Sequence, residues 1–225
     1  MFSLPCVYAI TESECPHAKS PLESHVLIAN AALAAGVKAI QFRDKTADGK
    51  RLLSPEKAHE ACVKIRTMCM KKNAAFIIND DLELALDLGV GVHLGQSELK
   101  KQSISKAREI LPENTVIGVS ANSLREAKKA ALQDVEYIGL GPVFHTRSKN
   151  DTSTPLGIAA LNVVRYVFNE NGLLAPIIAI GGITDYNAEA VMRSGADGVA
   201  VISAISRASD MEQAAKKLVG LINRF

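Results

Sequence analysis

Polar side chains alternate along one short segment of the chain, at Gln41, Arg43 and Lys45. The segment continues an apolar run, and side chains two positions apart in an extended strand point to the same face. Two of the three are cations, which are costly to bury unless an anion neutralises them. The spacing therefore predicts a site for an anionic ligand, with a solvated strand edge as the alternative.

Two carboxylates follow later apolar runs in a comparable way. Asp80 lies in the segment 79–81, and Glu98 ends the segment 95–98. Mg²⁺ is usually held by one or two protein carboxylates and completes its shell with water and phosphate oxygens. The pair is a candidate Mg²⁺ site, whereas capping of the next helix is the alternative explanation for residues 79–81.

The longest connection between predicted elements, residues 142–156, contains hydroxyl groups and a lysine. Thr146, Ser148 and Lys149 are close together in it. Such groups suit a clamp that closes over a phosphate. An exposed polar loop without a ligand is the alternative.

A second phosphate-binding pattern lies near the end of the chain. Gly181 and Gly182 follow one apolar run, and Ser203 opens a short helical turn after the last run. Bare backbone N–H groups of such glycines and of a helix N-terminus can approach phosphate oxygens. Many barrel enzymes share this pattern, so it indicates a phosphate without naming the rest of the ligand.

Short apolar runs recur along the whole chain and predict the strands that position these groups. Most are continuous rather than alternating, which is typical of strands buried on both faces. The runs are CVYAI (6–10), KAIQFR (38–43), AAFIIN (74–79), GVHLG (91–95), TVIGVS (115–120), EYIGLG (136–141), PIIAIG (176–181) and GVAVIS (198–203).

Helical patterns separate these runs. One is capped by Ser54, one begins near Thr184 or Asp185 and ends at Gly195, and the last begins at Asp210. Strict alternation of eight strands and eight helices predicts a single α/β domain, a (β/α)8 TIM barrel over residues 1–225. A doubly wound open sheet is the alternative, although no G-x-G-x-x-G follows the first strand.

The bulk properties exclude several classes of function. The net charge is only +2 and no long run of lysine or arginine occurs, which argues against a nucleic-acid or membrane-surface partner. No apolar run approaches the roughly 18 residues of a membrane span. The N-terminal segment does not resemble a signal peptide, so we expect a cytoplasmic protein.

Cysteine and histidine positions give little support for metal or triad chemistry. The four cysteines form no C-x-x-C pair, and we expect Cys62 and Cys69 to pack in the core. We expect His25, like His17 and His59, at the surface, and His93 packed within its strand. The sequence shows no H-E-x-x-H motif and no nucleophile–base pair.

The order of these segments resembles the thiamine phosphate synthase family, over nearly the whole chain. It is the combination of motifs in this order that is specific. The motifs are QFRDK (41–45), IIND (77–80), HLGQSE (93–98), GVSA (118–121), GPVFHTRSKND (141–151), IAIGGI (178–183) and GADGVAVISAI (195–205).

This resemblance implies a transferase that joins hydroxymethylpyrimidine diphosphate to hydroxyethylthiazole phosphate by a dissociative substitution. The products would be thiamine phosphate and pyrophosphate. It also implies Mg²⁺ as cofactor and these two small molecules as partners, and it leaves homo-oligomerisation open.

The resemblance further implies a role for each candidate residue. Arg43, Lys45, Ser120 and Lys149 would act in the chemical step, and Asp80 and Glu98 would hold the metal. Substrate-binding positions would be Gln41, Arg43, Lys45, Asn79, Ser120 and Lys149 around the pyrimidine diphosphate, and Thr146, Ser148, Gly182, Ile202 and Ser203 around the thiazole phosphate.

Three positions depart from the family pattern. Glu98 replaces the usual aspartate, His145 stands where the loop often has proline, and Asn122 where histidine is frequent. Two alternatives stay open: a thiazole tautomerase of the same fold, or a non-catalytic barrel that binds a phosphate. The cations and the carboxylate pair favour the synthase, and Asn122 offers a tautomerase no acid–base group.

Overall fold

The computed structural model describes residues 4, 6–148 and 154–225 of the chain. Within them, eight parallel strands pair in sequential order and close into a barrel. The strands are β1 (Cys6–Ile10), β2 (Ala39–Phe42), β3 (Ala75–Asn79), β4 (Gly91–Leu94), β5 (Ile117–Ala121), β6 (Tyr137–Leu140), β7 (Ile177–Ile180) and β8 (Gly198–Val201). Since β1 pairs with β8, with Cys6 opposite Gly198, the open-sheet alternative is excluded.

Helices surround this barrel. They are α1 (Pro21–Ala34), α2 (Pro55–Lys71), α3 (Leu82–Leu88), α4 (Gln96–Leu99), α5 (Ile104–Ile110), α6 (Leu124–Ala131), α7 (Gly157–Glu170), α8 (Ala188–Arg193), α9 (Ser203–Ser206) and α10 (Met211–Ile222). The described residues therefore hold ten helices rather than eight, because the connections after β4 and β8 each contain an extra four-residue helix, α4 and α9.

Capping side chains set two of the three helix starts that the sequence predicts. Ser54 accepts a hydrogen bond from Lys57 N and begins α2, and Asp210 accepts one from Gln213 N and begins α10. The predicted start of α8 is wrong by about one turn. There the Asn187 side chain accepts the Thr184 N–H and donates to Gly182 O, so a turn precedes the helix.

The apolar core has two layers. The inner layer fills the barrel, and the outer layer lies between the strands and the helices and includes Cys62 and Cys69, as the sequence predicts. Inner-layer members are Cys6, Tyr8, Ile10, Ala39, Ile77, Tyr137, Ile178 and Ala200. Tyr137 fits inside because a neighbouring position is glycine: a Cβ on Gly118 would lie 2.0 Å from Tyr137 Cζ.

One histidine lies in an unexpected place. His25, predicted at the surface, is completely buried on the inner face of α1. It is stable there because Thr11 and Ser13 offer hydrogen-bond partners to its two ring nitrogens. His93 is buried in β4, as expected. Among the described residues, no helix is long and apolar enough to cross a membrane.

Candidate active site

A cavity of about 270 Å³ opens at the carboxyl ends of the strands. It brings together the sequence-predicted site residues that the structure describes, although they come from seven different strand ends. These are Gln41, Arg43, Lys45, Asn79, Asp80, Glu98, Ser120, Thr146, Ser148, Gly182, Ile202 and Ser203. Lys149 lies outside the described residues. The cavity confirms that these groups share one pocket, while their individual roles stay predictions.

The cationic wall of the cavity comes from the end of β2. Gln41, Arg43 and Lys45 all face inward, as their alternation predicts. Arg43 is only 8% exposed, and its guanidinium donates to Lys45 O at 2.9 Å. Among the described residues, no carboxylate forms an ion pair with Arg43. Burial lowers the pKa of this guanidinium, and an anionic ligand would compensate the desolvation.

Asp80 organises the adjacent strand end. One carboxylate oxygen accepts from Lys45 Nζ at 2.5 Å and from the Asn79 amide at 2.7 Å, and the other accepts from Gly95 N at 3.0 Å. Burial would raise the pKa of Asp80, but these hydrogen bonds and the Lys45 charge hold it below its ordinary value. Asp80 is therefore an anion that fixes the position of Lys45.

Glu98, the second carboxylate of the predicted metal site, lies close to Asp80. A Cβ on Gly95 would lie 2.9 Å from Glu98 Oε2 and 3.4 Å from Asp80 Oδ1, so both carboxylates border the space that glycine leaves open. Within the described residues, no group of three or more His, Cys, Asp or Glu side chains could hold a metal. Two carboxylates with open space between them still fit Mg²⁺, because it takes few protein ligands and prefers oxygen.

A chain of hydrogen bonds forms the floor of the cavity. The Gln41 amide donates to Tyr8 Oη at 2.9 Å, the two phenols of Tyr8 and Tyr137 are 2.8 Å apart, and His93 Nδ1 lies 2.9 Å from Tyr137 Oη. Burial raises the pKa of both phenols well above the ordinary value, which keeps them neutral. The two phenols of the floor are therefore polar and uncharged.

The floor also contains a pair that the sequence does not reveal. His93 Nε2 lies 2.9 Å from Ser120 Oγ, so a hydroxyl and an imidazole are in contact after all. The two residues are distant in the chain, and only the pairing of β4 with β5 brings them together. In the sequence, each of them is recognisable only as a polar residue within an otherwise apolar strand. The same is true of Tyr8 and Tyr137.

Another wall of the cavity, at the ends of β7 and β8, is built from backbone. Gly181 and Gly182 have φ of +100° and +64°, and a Cβ on Gly182 would lie 2.5 Å from His145 O. Only glycine fits both constraints. The first turn of α9, opened by Ser203, lies beside them at the mouth, together with Thr146. Exposed N–H groups in such a wall suit a phosphate.

The chain is similar in sequence and in fold to several known proteins. The family model described as thiamine monophosphate synthase matches residues 7–205. A thiamine-phosphate synthase from Chlorobium limicola is 40% identical over 202 residues, which cover 89% of this chain and 90% of the relative. One from Archaeoglobus fulgidus is 39% identical over 220 residues, covering 97% and 94%. The solved thiamine phosphate pyrophosphorylase from Pyrococcus furiosus has a TM-score of 0.80 at 30% identity, covering 97% of this chain and 96% of that one.

Proposed function

The chain belongs to the thiamine monophosphate synthase family, and we propose that its cavity joins hydroxymethylpyrimidine diphosphate to hydroxyethylthiazole phosphate. One observation carries this assignment: a single cavity has a buried cationic wall at β2 and a backbone N–H wall at β7 and α9. A reaction of two different anionic substrates needs two such walls at a fixed separation. A site for one phosphate needs only one.

The pyrimidine diphosphate would lie with its leaving group against the cationic wall. The bond between the pyrimidine methylene carbon and the diphosphate oxygen breaks, and the pyrophosphate leaves with the electron pair. Arg43 and Lys45 offset the negative charge that grows on that oxygen, and we assign Lys149 to the same group. Preorganised cations in a pocket shielded from water are worth more than the same charges in water.

The cation left on the pyrimidine is stabilised by its own amino-substituted ring. The floor supports it with neutral hydrogen-bonding groups, since the buried phenols stay protonated and add no charge. We propose that Gln41, Asn79 and Ser120 contact this ring and hold it flat in the barrel. The thiazole nitrogen then donates its lone pair to the methylene carbon, which completes thiamine phosphate.

The thiazole phosphate would be held by the backbone wall. We assign Thr146, Ser148, Gly182, Ile202 and Ser203 to it. The residues assigned to this wall include no charged side chain, so the more highly charged diphosphate would be drawn to the β2 wall instead. Holding both rings in contact converts a bimolecular step into a local one, which is the proximity contribution to the rate.

We propose that Asp80 and Glu98 hold one Mg²⁺. When bound, it would supply positive charge to the leaving diphosphate. In the chain itself, Asp80 additionally keeps Lys45 at the cavity wall. Both substrates are phosphorylated metabolites, and we infer a cytoplasmic location from that chemistry.

The assignment is tested by incubating the protein with both substrates and Mg²⁺ and measuring thiamine phosphate and pyrophosphate. We expect equal amounts of the two products, and none when either substrate is omitted. A thiazole tautomerase would isomerise a thiazole phosphate without any diphosphate. A non-catalytic barrel would bind phosphates without turnover. Either of those results would contradict the proposal.

A further inference from the structure

A buried polar cluster lies directly behind the cationic wall, outside the cavity. It consists of Thr11, Ser13, His25 and Asp44, contributed by the β1–α1 connection, helix α1 and the β2–α2 connection. All four side chains are buried, and none of them lines the cavity. The proposed reaction gives this polar cluster no role, although a buried carboxylate and a buried imidazole are costly to maintain.

The cluster forms one directed chain of hydrogen bonds. Ser13 donates its hydroxyl proton to Asp44 Oδ1 at 2.7 Å, so its oxygen accepts from His25 Nε2 at 3.3 Å. Burial lowers the pKa of His25, so its imidazole is neutral at neutral pH. With Nε2 protonated, Nδ1 accepts the Thr11 hydroxyl at 2.6 Å.

Asp44 links the two ends of the β2–α2 connection through hydrogen bonds. Its carboxylate accepts the backbone N–H of Leu53 at 3.0 Å and of Leu52 at 3.3 Å. Those residues immediately precede α2, whereas Arg43 and Lys45 flank Asp44 at the end of β2. Because successive side chains of an extended segment point to opposite sides, Asp44 faces α1 while Arg43 and Lys45 face the cavity.

The cluster also holds the strand itself. Thr11 N donates to Gln41 O at 2.8 Å, and Thr11 Oγ1 accepts a long contact of 3.4 Å from Arg43 N. The His25 ring packs on Phe42, with ring centroids 4.4 Å apart. The cluster therefore contacts or includes every residue from Gln41 to Asp44.

We propose that Asp44, supported by Ser13 and His25, is a positioning residue that fixes Arg43 and Lys45 for the diphosphate. It acts through the backbone and does not touch substrate. The inference rests on the proposed function, because that function assigns the diphosphate to the β2 wall. It adds a determinant of affinity for one substrate that leaves the other wall of the cavity unaffected.

The test compares Asp44→Ala with wild type, using inorganic pyrophosphate as a calorimetric probe and steady-state kinetics with both substrates. Loss of hydrogen bonds to a charged group costs enough to weaken pyrophosphate binding about tenfold. We expect a similar rise in KM for the pyrimidine diphosphate and an unchanged KM for the thiazole phosphate. Asp44→Asn retains one acceptor oxygen and should restore part of the affinity.

Asp197→Ala is the matched control. Asp197 also accepts a strand backbone N–H, from Ile177 at 2.7 Å, and forms an ion pair with Arg165, but it lies at the opposite end of the barrel. Asp197→Ala should lower the free energy of unfolding without changing the KM for either substrate. If Asp44→Ala does not fold, Ser13→Ala keeps the carboxylate and should give the same selectivity with a smaller effect.

Unchanged pyrophosphate affinity in these variants would overturn the inference while leaving the proposed function intact. Equal losses for both substrates would overturn it too, since they would indicate a purely structural role. If wild type itself neither binds pyrophosphate nor forms product, the proposed function fails first, and the inference fails with it.

Discussion

Charge is distributed unevenly around the mouth of the barrel. Arg43 faces the cavity with no ion-pair partner among the described carboxylates, whereas Lys45 is held by Asp80. The wall at Gly182 and Ser203 offers backbone groups instead of charged side chains. In the proposed reaction this asymmetry would orient the two substrates, because the more highly charged diphosphate would gain most at the cationic wall.

Glu98 stands at a position where the family resemblance leads us to expect an aspartate. Glu98→Gln removes a charge while keeping size, so it should raise the Mg²⁺ concentration needed for half-maximal activity. Glu98→Asp should stay active, because it keeps the carboxylate and introduces the residue that is usual in the family pattern. A metal titration of the three proteins, with excess EDTA as the zero point, checks this. Identical Mg²⁺ dependence for wild type and Glu98→Gln would remove Glu98 from the site.

Ser203 provides the corresponding test at the backbone wall. Ser203→Asp places a carboxylate where the proposed thiazole phosphate binds, and the two anions would repel each other. We expect weaker binding of the thiazole phosphate with little change for the pyrimidine diphosphate. Calorimetry with each substrate separately measures both affinities. Equal losses for the two substrates would contradict the assignment of Ser203.

Side-chain positions could be predicted where local alternation determines them. Gln41, Arg43 and Lys45 are predictable because a strand period of two is visible in the sequence. The buried environment of His25 is not, since its partners Thr11 and Asp44 come from other elements. For the same reason the contact between Tyr8 and Tyr137, which are 129 positions apart, has no local signal.

At the scale of elements, the barrel interior depends on small residues beside large ones. Gly118→Ala would place a Cβ 2.0 Å from the Tyr137 ring, so the ring must move and its hydrogen bond to Tyr8 is disturbed. Overpacking of this kind costs about 1–3 kcal/mol. Urea unfolding should show that loss, together with reduced activity.

Gly220→Ala is the control for this substitution. Gly220 lies inside α10, and a Cβ there would meet no atom within 4 Å. Replacing a helical glycine by alanine should therefore stabilise the protein by about 0.5–1 kcal/mol. Similar free energies of unfolding for the two variants would contradict the packing described around Tyr137.

The elements themselves were largely predictable, because hydrophobic runs and capping residues are local signals. Each strand lies within the predicted run or extends it by one residue, as β5 does at Ala121. The late start of α8 was not predictable, because the side chain of Asn187 forms a competing turn with Thr184. Closure of the barrel was predicted from the number of strand–helix repeats, because no single segment of the sequence determines it.

For the whole molecule, the buried cluster behind β2 predicts how stability depends on pH. Burial lowers the pKa of His25, so its contribution is present above about pH 6.5 and declines as the pH falls. Burial would raise the pKa of Asp44, but contacts with His25, Ser13 and the backbone lower it to about 2. Its contribution, about 2 kcal/mol, is therefore present above about pH 4 and lost as the pH falls towards 2.

Urea unfolding between neutral and acidic pH measures this dependence. Relative to wild type, His25→Gln should flatten the decline in the free energy of unfolding below about pH 6.5, and Asp44→Asn should flatten it below about pH 4. His59→Gln is the control, because His59 is exposed and pairs only with an exposed Asp87. An acid profile that no cluster variant alters would show that these groups do not titrate differently on folding.

In the proposed reaction, the diphosphate leaves from the cationic wall at β2. A single-turnover experiment with both substrates tests it, comparing wild type with Arg43→Gln and using Arg51→Gln, an exposed arginine on the same connection that pairs with Asp81, as control. Arg43→Gln should slow the formation of thiamine phosphate and of pyrophosphate equally, by about 100-fold or more, while Arg51→Gln should not. An unchanged rate in Arg43→Gln, or no product from wild type, would contradict the assignment of the diphosphate to the β2 wall.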